Sequence, residues 1–291
     1  MTFYRPTYRD IFYASPDGLR LHARDYGDTD APAVLCLPGL SRNVRDFEAV
    51  AERLAPRFRV ICAEQRGRGE SAYDPKPENY HPGTYVVDMV ALLDHLGLQK
   101  VAIIGTSLGG LMAMMMAAGL PDRVAGIVVN DVGPEVAVEG LVKIQSYIDR
   151  EIRVTNWRDA VEDVRQLFQN SFPAFGDADW ERSARALYRE NGHGVPVLDF
   201  DPHIADNFKT LEPKAVEIWP VFDAIPPMPF GLVRGKLSEL LTPAIMGEML
   251  RRRPSITAVE IQNAGHAPTL DEAPARAVID QVLDSSCHGR A

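Results

Sequence analysis

Three features of the sequence predict a doubly wound α/β fold built on a mainly parallel sheet. Short apolar runs alternate with stretches of helical periodicity through the first and last parts of the chain. The runs Ala33–Leu37 and Phe58–Ala63 are short and mainly apolar, as parallel strands covered on both faces are, and each leads into a glycine-bearing turn. Gly105-Thr106-Ser107-Leu108-Gly109 lies between a third such run, Val101–Ile104, and an apolar helical stretch, Leu108–Leu120.

Taken in order, Ile11–Ala14 and Leu19–Tyr26 flank Pro16-Asp17-Gly18 and predict a hairpin. Ala33–Leu37 and Phe58–Ala63 follow as strands. Between and after them, Phe47, Val50, Ala51 and Leu54 share one helical face, as do Val86, Met89, Val90, Leu93 and Leu96. Val101–Ile104 (strand), Leu108–Leu120 (helix) and Val124–Asn130 (strand) continue the alternation. It stops near Pro134. From there to Pro227 the pattern is mostly helical, clearest over Val142–Tyr147, Ala160–Phe168 and Trp180–Leu187, and it holds all three tryptophans. Residues 134–227 therefore read as a helical cap inserted into a core made of 1–133 and 228–291. Alternation resumes with Phe230–Arg234, Ala244–Arg251, Ala258–Ile261 and Ala273–Val282.

A length of 291 residues suits one large core with an insertion, and 46% hydrophobic with 24% charged residues is ordinary for a globular chain. The formal net charge of −9 disfavours nucleic acid and anionic membrane as partners. Cys36 and Cys62 sit in strand-like runs and Cys287 near the C-terminus. Three cysteines without a Cys-x-x-Cys suggest neither a disulfide framework nor a zinc site, and point to a reducing, cytoplasmic setting. Met1–Asp10 has no apolar signal core. Val101–Leu120 is uncharged and long enough to attract a transmembrane reading, but its glycine-rich centre fits a strand–turn–helix better.

The chemistry concentrates in four places. Gly105–Gly109 matches Gly-x-Ser-x-Gly, in which a serine on a tight strand-to-helix turn is lifted above the sheet at a helix N-terminus. Ser107 is the expected nucleophile. Leu35-Cys36-Leu37-Pro38-Gly39-Leu40 is a strand ending in a tight turn, where a second oxyanion donor is needed. The expected donors are the backbone amides of Leu40 and Leu108. Asn263-Ala264-Gly265-His266-Ala267-Pro268 puts a histidine on a glycine-flanked loop after a strand, able to act as general base and then general acid. Chain order asks for a carboxylate between residues 107 and 266. Two qualify at strand ends: Glu239, the first choice, and Asp131, the alternative.

Together these residues resemble the α/β-hydrolase superfamily, from about Ile11 to Leu283, with the cap matching least. Glu64-Gln65-Arg66-Gly67-Arg68-Gly69-Glu70-Ser71 is similar to its Asp-x-Arg-Gly-x-Gly-x-Ser turn, Gly265–Glu272 to its histidine loop, and Ser238–Pro243 to its acid loop. In that loop an Asp commonly stands four residues before a Pro, which selects Glu239 over Ser238. The resemblance implies an eight-stranded sheet. Three departures stand out. Pro38 replaces the usual His before the oxyanion glycine, which leaves the anchoring of that loop open. Glu replaces Asp at the acid position, and it falls four residues after Gly235 where three is commoner. The last two keep Asp131 in play. Ser107 argues against the dehalogenase and epoxide hydrolase branches, which use Asp. The chain is similar instead to small capped esterases, enol-lactone hydrolases and carbon–carbon bond hydrolases.

The expected reaction is hydrolysis of a small-molecule ester or lactone through an acyl-enzyme, with no metal or organic cofactor. Carbon–carbon bond hydrolysis, acyl transfer or perhydrolysis would use the same residues. A ligand receptor that keeps the pocket without turnover is the reading from another class. The cap should set the substrate, with Trp157, Trp180 and Trp219 as candidate pocket residues and Arg42 as a candidate partner for a substrate carboxylate. Asp199, Asp201, His203 and Asp206 cluster in sequence, but a short polar stretch of this kind reads as a solvated loop rather than a metal site.

Overall fold

A computed structural model describes residues 8–136, 138–148, 153–206 and 216–288. The sheet has eight strands in the order β1-β2-β4-β3-β5-β6-β11-β12. They are β1 (Tyr8–Ala14), β2 (Arg20–Tyr26), β3 (Ala33–Leu37), β4 (Arg59–Glu64), β5 (Val101–Thr106), β6 (Val124–Asn130), β11 (Phe230–Gly235) and β12 (Thr257–Ile261). β2 runs antiparallel to both of its neighbours, and every other pairing is parallel. Every residue of β3 and β4 is buried, as the mainly apolar character of central strands leads one to expect, and the charged ends of β4, Arg59 and Glu64, are buried with it.

Helices cover both faces. The chain moves one way across the sheet from β3 through α1 (Glu48–Leu54) to β4. It moves the other way from β4 through α2 (Pro82–His95) to β5, so right-handed crossovers put α1 and α2 on opposite faces. α3 (Leu108–Gly119) packs on β5 and β6 and against α2, while α9 (Ala273–His288) packs on β6, β11 and β12. Ion pairs from Arg53 to Asp280 and from Arg57 to Asp284 join α1 and the turn after it to α9. The reversal of direction leaves a crevice at the carboxyl ends of β3 and β5, where open α/β sheets bind their ligands.

The segment between β6 and β11 carries α4 (Val138–Ile148), α5 (Trp157–Phe168), α6 (Asp177–Leu187) and α7 (Trp219–Ala224). It is less purely helical than its periodicity suggests. β7 (Glu135–Val136) pairs with β10 (Val216–Glu217), and β8 (Tyr188–Glu190) with β9 (Pro196–Leu198), each antiparallel. These strands of two or three residues are too short for alternation to register. α8 (Pro243–Arg252) links β11 to β12. Among the described residues, no helix is long and apolar enough to cross a membrane, and Val101–Leu120 is divided into β5 and α3.

Candidate active site

Four parallel strands deliver the site residues to one edge of the sheet. Ser107 joins β5 to α3 with φ 53° and ψ −117°, in the left-handed region that a serine adopts only when its surroundings force it. The flanking glycines are what allow the turn to close. A Cβ on Gly105 would stand 2.2 Å from the carbonyl oxygen of Gly109, and one on Gly109 would stand 2.0 Å from that of Leu37. The Ser107 amide donates to Asn130 O at 2.9 Å, tying the turn to the end of β6.

His266 follows β12 and must reach across β11 to the serine. It does so because the loop passes directly over Gly235 at the end of β11. A side chain there would meet Gly265 O at 2.3 Å and Ala264 O at 2.6 Å. The imidazole Nε2 lies 2.8 Å from Ser107 Oγ, and Nδ1 lies 2.8 Å from Asp131 Oδ2. An ionised carboxylate can only accept, so Nδ1–H donates to Asp131. That leaves Nε2 as the acceptor for the serine hydroxyl. Asp131 is fully buried, its other oxygen accepts from the Gly235 amide at 2.8 Å, and its own amide donates to Val233 O at 2.8 Å.

At the acid position the geometry brings in the alternative residue rather than the first choice. Glu239, the first choice, has an exposed side chain, and the carboxylate on His266 comes from Asp131. The reason is strand order. β6 lies beside β5, so the residue just past its end is already next to the nucleophile turn. Asp131 also adopts φ 57°, which turns the chain sharply there.

The two expected oxyanion donors flank the serine. Leu108 is the first residue of α3, where an amide has no intrahelical acceptor, and it is buried. Leu40 follows Gly39, whose missing Cβ would lie 3.7 Å from Ser107 Cβ. Arg42 lies beside the same turn, its Cγ 3.4 Å from that point. Its guanidinium is bidentate on Asp46, at 2.7 and 2.6 Å, so the carboxylate it meets is the chain's own.

The tryptophans are engaged in packing within and beside the segment between β6 and β11. Trp180 is buried against Phe175, which stacks on Phe172. Trp157 lies under Arg185 and donates to Glu190, and Trp219 packs edge-on to Phe222 and donates to Glu135. None of these partners is Ser107, His266 or Asp131. The Asp199–Asp206 stretch is not a solvated loop, because Asp199 and Asp201 are both buried. Asp199 accepts from Arg45 at 2.5 Å, and Asp201 accepts from Tyr80 at 2.5 Å and from the His203 amide at 2.9 Å. These contacts fasten the segment between β6 and β11 to the residues that follow β3 and β4.

Some site neighbours left no readable signal. Asn130 is buried and holds the histidine loop through a bond from Nδ2 to Pro268 O at 2.9 Å. Ser171, between α5 and α6, packs so closely on Gly265 that a Cβ there would stand 2.6 Å from its own. The segment between β6 and β11 therefore borders the histidine loop directly.

The comparisons with known proteins agree with this fold. A family model described as alpha/beta hydrolase fold matches residues 32–273. The chain is 35% identical over 266 residues to a 3-hydroxybutyrate-oligomer hydrolase of Cupriavidus necator, covering 88% of this chain and 90% of that one. It is 28% identical to a 2-(acetamidomethylene)succinate hydrolase of Mesorhizobium japonicum, covering 85% of each. Among solved structures, an alpha/beta hydrolase from Novosphingobium aromaticivorans superposes with a TM-score of 0.90 at 40% identity, covering 97% of this chain and 99% of that one.

Proposed function

Because the chain belongs to the α/β-hydrolase fold family and is a hydrolase by its relatives, we propose that it is a serine ester hydrolase acting through an acyl-enzyme. The observation that carries this reading is the unbroken line Ser107 Oγ–His266–Asp131, with both links at 2.8 Å. Ser107 attacks the ester carbonyl while His266 Nε2 takes its proton. Asp131 holds the tautomer and stabilises the imidazolium, and the amides of Leu40 and Leu108 receive the oxyanion. His266 returns the proton to the leaving alkoxide. Water then attacks the acyl-enzyme with His266 as base.

The substrate class we propose is short esters of small hydroxy acids, supported by the likeness to the 3-hydroxybutyrate-oligomer hydrolase over nine-tenths of that relative. The inserted residues 134–227, bordering His266 through Ser171, would set chain length. A lactone is an internal hydroxy-acid ester and would open by the same steps.

The test is intact mass after a serine-directed fluorophosphonate, with hydrolysis of nitrophenyl esters and of 3-hydroxybutyrate dimer and trimer followed in parallel. We expect one adduct and ester turnover in wild type, and neither in Ser107→Ala nor in His266→Ala. Turnover of nitrophenyl esters without cleavage of the oligomers would overturn the substrate class alone. A folded wild type with no adduct and no turnover would overturn the serine mechanism and favour a ligand receptor.

A further inference from the structure

The turn that carries the Leu40 amide has an unusual problem of support. Pro38, at its start, has no side-chain group that can hydrogen-bond and no amide hydrogen. Yet an oxyanion donor is effective only when held in place before the charge develops. The structure shows what holds it. Three successive carbonyls of the turn are each taken. Pro38 O accepts from Gln65 Nε2 at 3.2 Å, Gly39 O from the Arg42 amide at 3.2 Å, and Leu40 O from Arg68 Nε at 2.8 Å.

The middle bond sets the direction of the donor. In a trans peptide the N–H points opposite to the C=O, so fixing Gly39 O inward turns the Leu40 N–H outward. The bonds from Gln65 and Arg68 fix the peptide planes on either side. Both side chains are fully buried. Arg68 is itself braced, its Nη1 donating to Arg66 O at 2.6 Å and to Tyr85 OH at 3.0 Å. The turn 65–71 that carries both residues is clamped from the cap side as well. The Gly69 amide donates to Asp199 O at 3.1 Å, and the Asp201 amide donates to Gly67 O at 2.7 Å.

We propose that Arg68 and Gln65 are positioning residues for the oxyanion amide of Leu40, supplying from a neighbouring turn the anchorage that Pro38 cannot give. They touch no reacting atom and act through the Pro38 and Leu40 carbonyls. This rests on the serine hydrolase reading of the same site.

The experiment compares wild type with Arg68→Lys, Arg68→Met and Gln65→Met. The last keeps side-chain volume beside Met112 and removes the bond to Pro38 O together with the long contact to Met112 Sδ, so it guards against a loss of fold in the arginine variants. Active sites are counted by fluorophosphonate titration to completion, so turnover is read per competent site. Affinity for an aryl boronic acid, which forms a tetrahedral anion on the serine, is measured alongside. We expect kcat per titrated site to fall about 10–100-fold, with KM little changed and boronate affinity falling in parallel. Wild-type kcat per site and wild-type boronate affinity in both Arg68→Lys and Gln65→Met would overturn the proposal, even if fewer sites titrate. Absence of turnover and labelling in wild type would instead bring down the hydrolase reading, and this inference with it.

Discussion

At the scale of single residues, the arrangement at Asp131 makes a sharp prediction. Its Oδ1 is occupied by the Gly235 amide and its Oδ2 by His266 Nδ1. In Asp131→Asn the remaining carbonyl oxygen must stay on the Gly235 N–H, since burial leaves that donor no alternative. The new amide N–H then faces Nδ1, forces the other tautomer, and puts a hydrogen on Nε2 where the serine needs an acceptor. We expect kcat to fall by about 10⁴ with little change in stability. Glu239→Gln, on an exposed side chain, should stay within about twofold of wild type. Comparable losses in both variants, measured as kcat on a nitrophenyl ester, would refute the assignment. The serine turn, the histidine loop and the turn after β3 were legible because each is a local pattern at a strand end. Which carboxylate bonds His266 was not, because Asp131 and Glu239 both follow strands and only β6 neighbours β5. Strand order is a property of the folded sheet.

At the scale of elements, the central strands were readable as apolar runs because they bury both faces, and the β1–β2 hairpin from the turn sequence between its strands. The segment Tyr188–Asp201 was not. Its strands are too short for alternation to register and Asp199 and Asp201 read as part of a solvated loop, whereas β8 and β9 form a strap pinned to the core. Asp199, buried at the end of that strap, is bonded by Arg45 at 2.5 Å and lies 3.0 Å from Arg189 Nε. Burial of a carboxylate is tolerable only with such partners, and their positions are set by tertiary contact rather than by local sequence. Asp199→Ala should therefore destabilise the protein by about 2 kcal/mol. It should also raise amide hydrogen exchange over 188–201 before the core strands exchange. Unchanged protection of that segment would show that the backbone pairing alone holds the strap.

Across the whole molecule, the stability of the sheet edge should depend on pH through His22. This residue is buried on β2 between two carboxylates, Glu64 on β4 at 2.7 Å and the half-exposed Asp10 on β1 at 2.9 Å, with the Phe12 ring 4.9 Å away. Burial alone would lower its pKa, but Glu64 first and then Asp10 outweigh that, and the value is raised above the ordinary 6.5. A raised histidine pKa in the folded state means that the protein binds a proton that the unfolded chain releases near neutrality. The stabilisation is complete below about pH 6.5 and is lost as pH climbs through the folded value. Deprotonated His22 can donate only once, so one carboxylate loses its partner. Asp10, with access to water, is the one able to turn away. The consequence extends beyond the edge, because Glu64 also accepts from the Glu70 amide at 2.7 Å and so shapes the turn that carries Gln65 and Arg68. The unfolding free energies of wild type and His22→Gln, measured between about pH 5 and pH 9, should differ most at the acidic end and converge towards the alkaline end. A gap that stays constant would show that His22 contributes through packing and neutral hydrogen bonds, and not through its charge.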